Sequence, residues 1–309
     1  MGMLVSVTAG FFKTAMGRTG LLRLVIAGVL LALSSCAWLD AQQRQIIYRP
    51  TPNIPIDIAG LRVGDERYFV QVTPAPASPG AATPATAQQI ELWWLPHPDP
   101  NAPTLLYFHG TFRNLFDNLH KMEALRAAGF AVLAVEYRGW GLSSAITPSE
   151  QTILQDAEVA WRELQRREGR PTQRVLYGHS MGSGVAVDLA SRLRPRLDYG
   201  ALILESAFTS FADVARDAGL LASLLAGFNQ ERFASIDKIT LIHAPLLMVH
   251  GDQDTTIPLR LGQRLYGAAN QPKQWATIEG GAHSDLDQIG GTHYQTLLRG
   301  FMTQQMLPP

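Results

Sequence analysis

Val175-Leu176-Tyr177-Gly178-His179-Ser180-Met181-Gly182-Ser183-Gly184 is the stretch whose reading decides the fold. An apolar, β-prone run leads in and a small-residue helical pattern leads out. Between them stands Gly-x-Ser-x-Gly, with Gly178, Ser180 and Gly182 in the three fixed places. A serine on a very tight strand-to-helix turn holds strained backbone angles and projects its hydroxyl outward. Side chains two positions to either side would collide in such a turn, so glycine is needed at both. The rival reading is a tight turn with a bystander serine. A serine hydroxyl is a poor nucleophile unaided, so the first reading demands a base, an orienting acid and donors for an oxyanion.

Outward from this turn, apolar runs alternate with amphipathic ones. Strands are expected over 66–72, 90–95, 104–108, 130–135, 201–204, 245–249 and 274–278, those over 104–108, 201–204 and 245–249 apolar throughout. Uninterrupted apolar strands are those covered on both faces. Helices are expected over 118–128, with Leu119, Met122 and Leu125 on one face, and over 149–168, capped by Ser149 behind Pro148. The charged residues of the second helix read as a solvated face. Alternation of this kind gives an α/β fold, a mostly parallel sheet with helices on both faces.

Five motifs stand in order along the chain: Tyr107-Phe108-His109-Gly110, Tyr137-Arg138-Gly139-Trp140-Gly141, Gly178-His179-Ser180-Met181-Gly182, His250-Gly251-Asp252-Gln253-Asp254 and Gly281-Ala282-His283. Together they resemble the α/β-hydrolase superfamily, in its branch of single-domain serine hydrolases with a short cap, from about Leu61 to the C-terminus. The resemblance implies the chain order nucleophile, acid, base. It makes Ser180 the nucleophile and the second aspartate of its loop, Asp254, the acid, with Asp252 as a turn residue. Of the eight histidines, His243, His250, His283 and His293 follow the serine. His243 and His250 flank a buried strand and precede the acid, and His293 falls in a helical pattern. His283, on a glycine-rich loop at a strand end, is left as the base. The resemblance also assigns the oxyanion donors to the backbone N–H groups of Thr111 and Met181.

Several neighbours carry two readings. Glu205, at a strand end, is the alternative acid. His109 bonds within its loop rather than acting in catalysis, Arg138 ties loops together, and Trp140 either lines the pocket or covers the sheet. Asp285 and Asp287 stand where the dipole of the last helix favours acids. Residues 207–240 form a short cap, and its apolar part, Gly219 to Phe228, is either core or a lid. Phe112, Phe208 and Phe211 favour an apolar acyl group.

The chain has 309 residues, enough for one large domain, with 46% hydrophobic and 17% charged residues and a formal net charge of +0. Nothing in that balance points to a nucleic-acid partner. One cysteine, Cys36, excludes an intrachain disulfide and a cysteine-rich metal site. Residues 1–35 carry Lys13, Arg18 and Arg23, no acid, and an apolar run ending in Leu33-Ser34-Ser35-Cys36. This resembles a bacterial lipoprotein signal, cleaved before a lipidated Cys36 that anchors the chain to a membrane of the cell envelope. An uncleaved anchor and a plain signal peptide remain open, and Met16 is an alternative start. Ala37 resembles the sorting pattern for an outer membrane. Residues 36–60 form a tether and 61–309 the catalytic domain, with a flexible Pro/Ala loop over 73–89.

The resemblance thus implies a membrane-tethered serine hydrolase of acyl esters or thioesters, without cofactor or metal. A peptidase or amidase on the same triad, and a non-catalytic surface lipoprotein of the same fold, are the alternatives.

Overall fold

The computed structural model describes residues 26, 38–53, 60–73, 87–111, 113–219 and 231–306. The leader, Cys36, most of the Pro/Ala loop, Phe112 and the cap segment 220–230 lie outside the described residues. Contacts divide the chain into two units, Met1–Gln43 and Arg44–Pro309. In the first, Ile26 and 38–43 are helical. In the second, the chain is helical over 44–48 (the end of α1, 38–48).

The second unit holds one eight-stranded sheet in the order β1-β2-β4-β3-β5-β6-β7-β8. Its strands are β1 (Glu66–Val72), β2 (Gln88–Leu95), β3 (Thr104–Phe108), β4 (Ala131–Glu136), β5 (Arg174–His179), β6 (Ala201–Glu205), β7 (Leu246–Gly251) and β8 (Lys273–Ile278). The first two pairings, β1 with β2 and β2 with β4, are antiparallel, and from β4 to β8 every pairing is parallel. The strands β3 to β7 are buried along their whole length. This is why they read as continuous apolar runs rather than alternating ones.

Successive side chains of a strand point to opposite faces, so each strand feeds two cores. Leu106 and Phe108 of β3 join one cluster, while Leu105 and Tyr107 join the other. The helices α3 (Glu150–Arg167), α4 (Met181–Ser191) and α7 (Leu259–Ala268) contribute Ile153, Leu164, Val185 and Leu265 to the first. The helices α2 (Leu119–Ala127) and α8 (Leu286–Met306, interrupted at Gly291) contribute Met122, Leu125, Tyr294 and Leu298 to the second. Two short helices, α5 (Phe211–Asp217) and α6 (Ser235–Lys238), flank the cap segment.

Ser149 caps α3 in a reciprocal box with Thr152, satisfying N–H groups that the first turn leaves without partners. The solvated face expected for α3 is incomplete. Glu163 is buried and accepts from Tyr68 Oη at 3.0 Å, because β1 packs over that part of the helix. Among the described residues no helix is long and apolar enough to cross a membrane.

Candidate active site

β5 lies in the middle of the sheet and delivers Ser180 at its C-terminal end. Ser180 has φ 55° and ψ −124°, a conformation that a residue with a Cβ avoids. Two backbone bonds pin it, from its own N–H to the Glu205 carbonyl at 2.9 Å and from the Ser183 N–H to its carbonyl at 2.8 Å. The flanking glycines are sterically required. A Cβ on Gly178 would lie 2.2 Å from the Gly182 carbonyl oxygen, and one on Gly182 would lie 2.0 Å from that of Phe108.

The strands β7 and β8 end beside this turn, and their loops carry the other two groups. His283 Nε2 lies 2.8 Å from Ser180 Oγ, and its Nδ1 lies 2.8 Å from Asp254 Oδ2. The other Asp254 oxygen accepts from the N–H groups of Thr256 at 2.9 Å and Ile257 at 2.8 Å. Burial would raise the Asp254 pKa. The imidazoles of His250 and His283 and the Ile257 N–H outweigh it and hold the carboxyl well below the usual aspartate range. Asp254 is therefore an anion fixed to receive the Nδ1–H of His283.

His283 is positioned by residues that sequence spacing did not single out. Its carbonyl accepts from His179 Nε2–H at 2.9 Å and from Ser206 Oγ–H at 3.2 Å. Burial pushes His179 down to about pKa 3, so its ring is neutral and Nε2 can keep the proton it donates. His179 occupies the variable place before the serine, which no spacing rule marks.

The carboxylate on His283 Nδ1 is that of Asp254, and Glu205 is engaged by other groups. It accepts from Lys121 Nζ at 2.5 Å, from Tyr294 Oη at 2.7 Å and from Tyr177 Oη. Lys121 also reaches Asp287 Oδ1 at 2.8 Å, and His120 Nδ1 lies 2.9 Å from Asp287 Oδ2. Asp287 stands in the first turn of α8 and is also an ion-pair partner, whereas Asp285 accepts from the Ala282 N–H at 2.7 Å. Burial favours the neutral amine of Lys121, but the two carboxylates overcome it and raise its pKa. A lysine one helical turn before the buried Leu125 was the visible sign that such partners exist.

The remaining residues fall into supporting places. His109 Nδ1 bonds the Gly110 carbonyl at 2.7 Å, and its Nε2 lies 3.1 Å from Glu136. Arg138 is buried and clamps Asp156 through Nε at 2.6 Å and its own N–H at 2.8 Å. Trp140 is fully buried and packs edge-on to Tyr48, so it covers the sheet. Asp252 ties its loop to the Gly280 N–H at 2.8 Å.

A small cleft of ≈ 10 Å³, room for about one water-sized sphere, lies over the serine and opens to solvent, lined among the described residues by Gly110, Thr111, Arg113, Asn118, His179, Ser180, His283 and Ser284. Thr111 is in that lining, and Met181 follows the serine as the first residue of α4. Helix geometry leaves the N–H groups of a first turn without intrahelical acceptors. Phe208 and Phe211 do not line the cleft. They stack on each other at 5.2 Å and pack with Phe233 in the core, because their segment closes over the first cluster. Arg113 is the lining residue that motif reading overlooked.

Among the described residues no group of three or more histidine, cysteine or acidic side chains could hold a metal ion.

Known proteins resemble this chain. A family profile described as serine aminopeptidase, S33 (Hydrolase_4) matches residues 99–236. An uncharacterised protein of Mycobacterium tuberculosis is 30% identical over 287 residues, which is 91% of this chain and 92% of that protein. The alpha/beta hydrolase domain-containing protein 17B of Homo sapiens is 32% identical over 211 residues, 67% of this chain and 69% of that protein. The chain belongs to the α/β-hydrolase superfamily. A further relative of this hydrolase, the lysophosphatidylserine lipase ABHD12 of Danio rerio, is 34% identical over 61% of this chain and 53% of that protein. An esterase structure from Pyrococcus furiosus shares the hydrolase fold with a TM-score of 0.62 at 15% identity, covering 83% of this chain and 99% of that one.

Proposed function

We propose that the chain is a serine hydrolase that cleaves acyl esters or thioesters through an acyl-enzyme. The observation that carries this reading is the unbroken line Asp254–His283–Ser180, with both contacts at 2.8 Å, ending on the strained turn. His283 Nε2 takes the proton of Ser180 as Oγ attacks the acyl carbonyl carbon. Asp254 holds the Nδ1–H and stabilises the imidazolium that forms. The N–H groups of Thr111 and Met181 are assigned to the oxyanion. Preorganised donors of this kind act where charge develops, and losing one costs about 3–4 kcal/mol in the transition state. The imidazolium then protonates the departing alcohol or thiol. Water, deprotonated by the same imidazole, releases the acid. The name of the Danio rerio relative supports an acyl ester as substrate.

The description of the matching family profile favours a second reading, cleavage of aminoacyl amides by the same groups. Parallel assays on acyl esters and aminoacyl amides separate the two. The lipidation of Cys36 and the resulting membrane tether are part of the proposal and rest on the leader sequence. Metabolic labelling with a radioactive fatty acid, wild type beside Cys36→Ser, tests it.

The main test is labelling with a fluorophosphonate probe. Folded wild type should label and Ser180→Ala should not. A folded wild type that stays unlabelled would refute an activated Ser180.

A further inference from the structure

Arg113 stands in the wall of the cleft that holds Ser180 and His283. Its guanidinium makes no hydrogen bond or ion pair among the described residues. Arginines that are more deeply placed in this protein are paired. Arg126 grips Asp65, Arg138 grips Asp156, and Arg167 grips Glu66. Among the described residues the lining of the cleft includes no aspartate or glutamate, and Arg113 is its one arginine or lysine. The other polar groups there are already engaged or are neutral. Asn118 accepts from Tyr107 Oη at 3.1 Å and donates to the Asn114 carbonyl at 2.8 Å. The hydroxyls of Thr111 and Ser284 have no hydrogen-bond partner among the described residues and can add donors to the same group.

A guanidinium is a planar fork of donors that matches the oxygens of a carboxylate or phosphate. We propose that Arg113 reads an oxyanion on the substrate, so that the ester or thioester attacked by Ser180 carries a phosphate or carboxylate beside the scissile bond. This rests on the serine-hydrolase reading and narrows its substrate class. The formal net charge of the chain is +0, so an anion preference would arise locally at the cleft rather than from the protein's overall field.

Two matched pairs of esters test it on the full chain. One pair is a monoacylglycerol and the corresponding acylglycerol phosphate, with the anion on the leaving group. The other is p-nitrophenyl butyrate and p-nitrophenyl hemisuccinate, with the anion on the acyl side. The readout is the ratio of kcat/KM, anionic over neutral, in wild type, Arg113→Gln and Arg113→Lys, each checked for an unchanged Tm. Arg113→Gln should lower the ratio at least tenfold in one pair, and Arg113→Lys should keep more of it, since the charge remains. The pair that responds identifies the side on which the anion sits. In wild type, rising ionic strength should depress turnover of the anionic member more than that of the neutral one. Equal ratios in wild type and Arg113→Gln for both pairs would overturn the assignment and leave the hydrolase reading standing. A wild type that hydrolyses none of the four esters and takes no fluorophosphonate label would overturn both.

Discussion

The turn that carries Ser180 should cost the protein stability, and two substitutions separate that cost from the loss of the hydroxyl. Ser180→Ala and Ser180→Gly both remove the 2.8 Å contact to His283. Only the glycine variant also removes the Cβ that φ 55° and ψ −124° disfavour. A side chain held in such a region costs about 1–3 kcal/mol. Glycine gives back about 0.5–1 kcal/mol through its greater freedom in the unfolded chain. Ser180→Gly should therefore be more stable than Ser180→Ala by roughly 0.5–2 kcal/mol. For a domain of this size that corresponds to a Tm higher by roughly 1–8 °C. Chemical denaturation at equal m-values provides the assay, with calorimetry as a second probe. A glycine variant at or below the alanine variant would show that the neighbours hold no strain in this turn.

Asp254→Asn should leave binding largely intact and lower kcat by about 10⁴, because the amide no longer fixes the productive tautomer of His283; steady-state kinetics with an ester checks it. Lys121→Met should strand the buried carboxylates of Glu205 and Asp287 and cost about 3–5 kcal/mol, read as a fall in denaturant midpoint. Acid should destabilise the fold in a defined window. Asp254 and Asp287 are both held below the ordinary aspartate value in the folded state, so unfolding binds protons as the pH falls. Their contribution is complete above about pH 5 and is lost as the pH drops through about 3.9 toward the depressed folded values. A denaturant midpoint that stays flat between about pH 5 and about pH 3 would contradict this.

What could be read from the chain was governed by distance along it. The steric rule at Gly178 and Gly182 acts over a few residues, and the clash distances agree with it. The apolar runs announced the buried strands, and the loops after β7 and β8 carried the acid and the base that the structure brings to Ser180. Contacts between remote segments were not legible. The support of His283 by His179 joins positions 104 residues apart, and nothing local distinguishes that histidine. Lys121 gave half a signal: its place on a buried helix face implied partners without naming Glu205 or Asp287. Glu163 misled because its solvent side is taken by β1, which lies far away in sequence. Phe208 and Phe211 lie in the core for a related reason, since periodicity counts apolar surface but does not tell a core from a pocket.

The cluster of Lys121, Glu205 and Asp287 restricts how this chain could be recombined with a homologue. Its members sit on α2, on β6 and in the first turn of α8, and Lys121 and Asp287 are 166 positions apart. A chimaera with one junction anywhere between those two positions takes the cation from one parent and at least one anion from the other. Unless both parents share the trio, the product holds a buried charge without its counterpart. The three positions must then change hands as a set, and this long interval of sequence behaves as a single heritable block although it contains several complete strand–helix units.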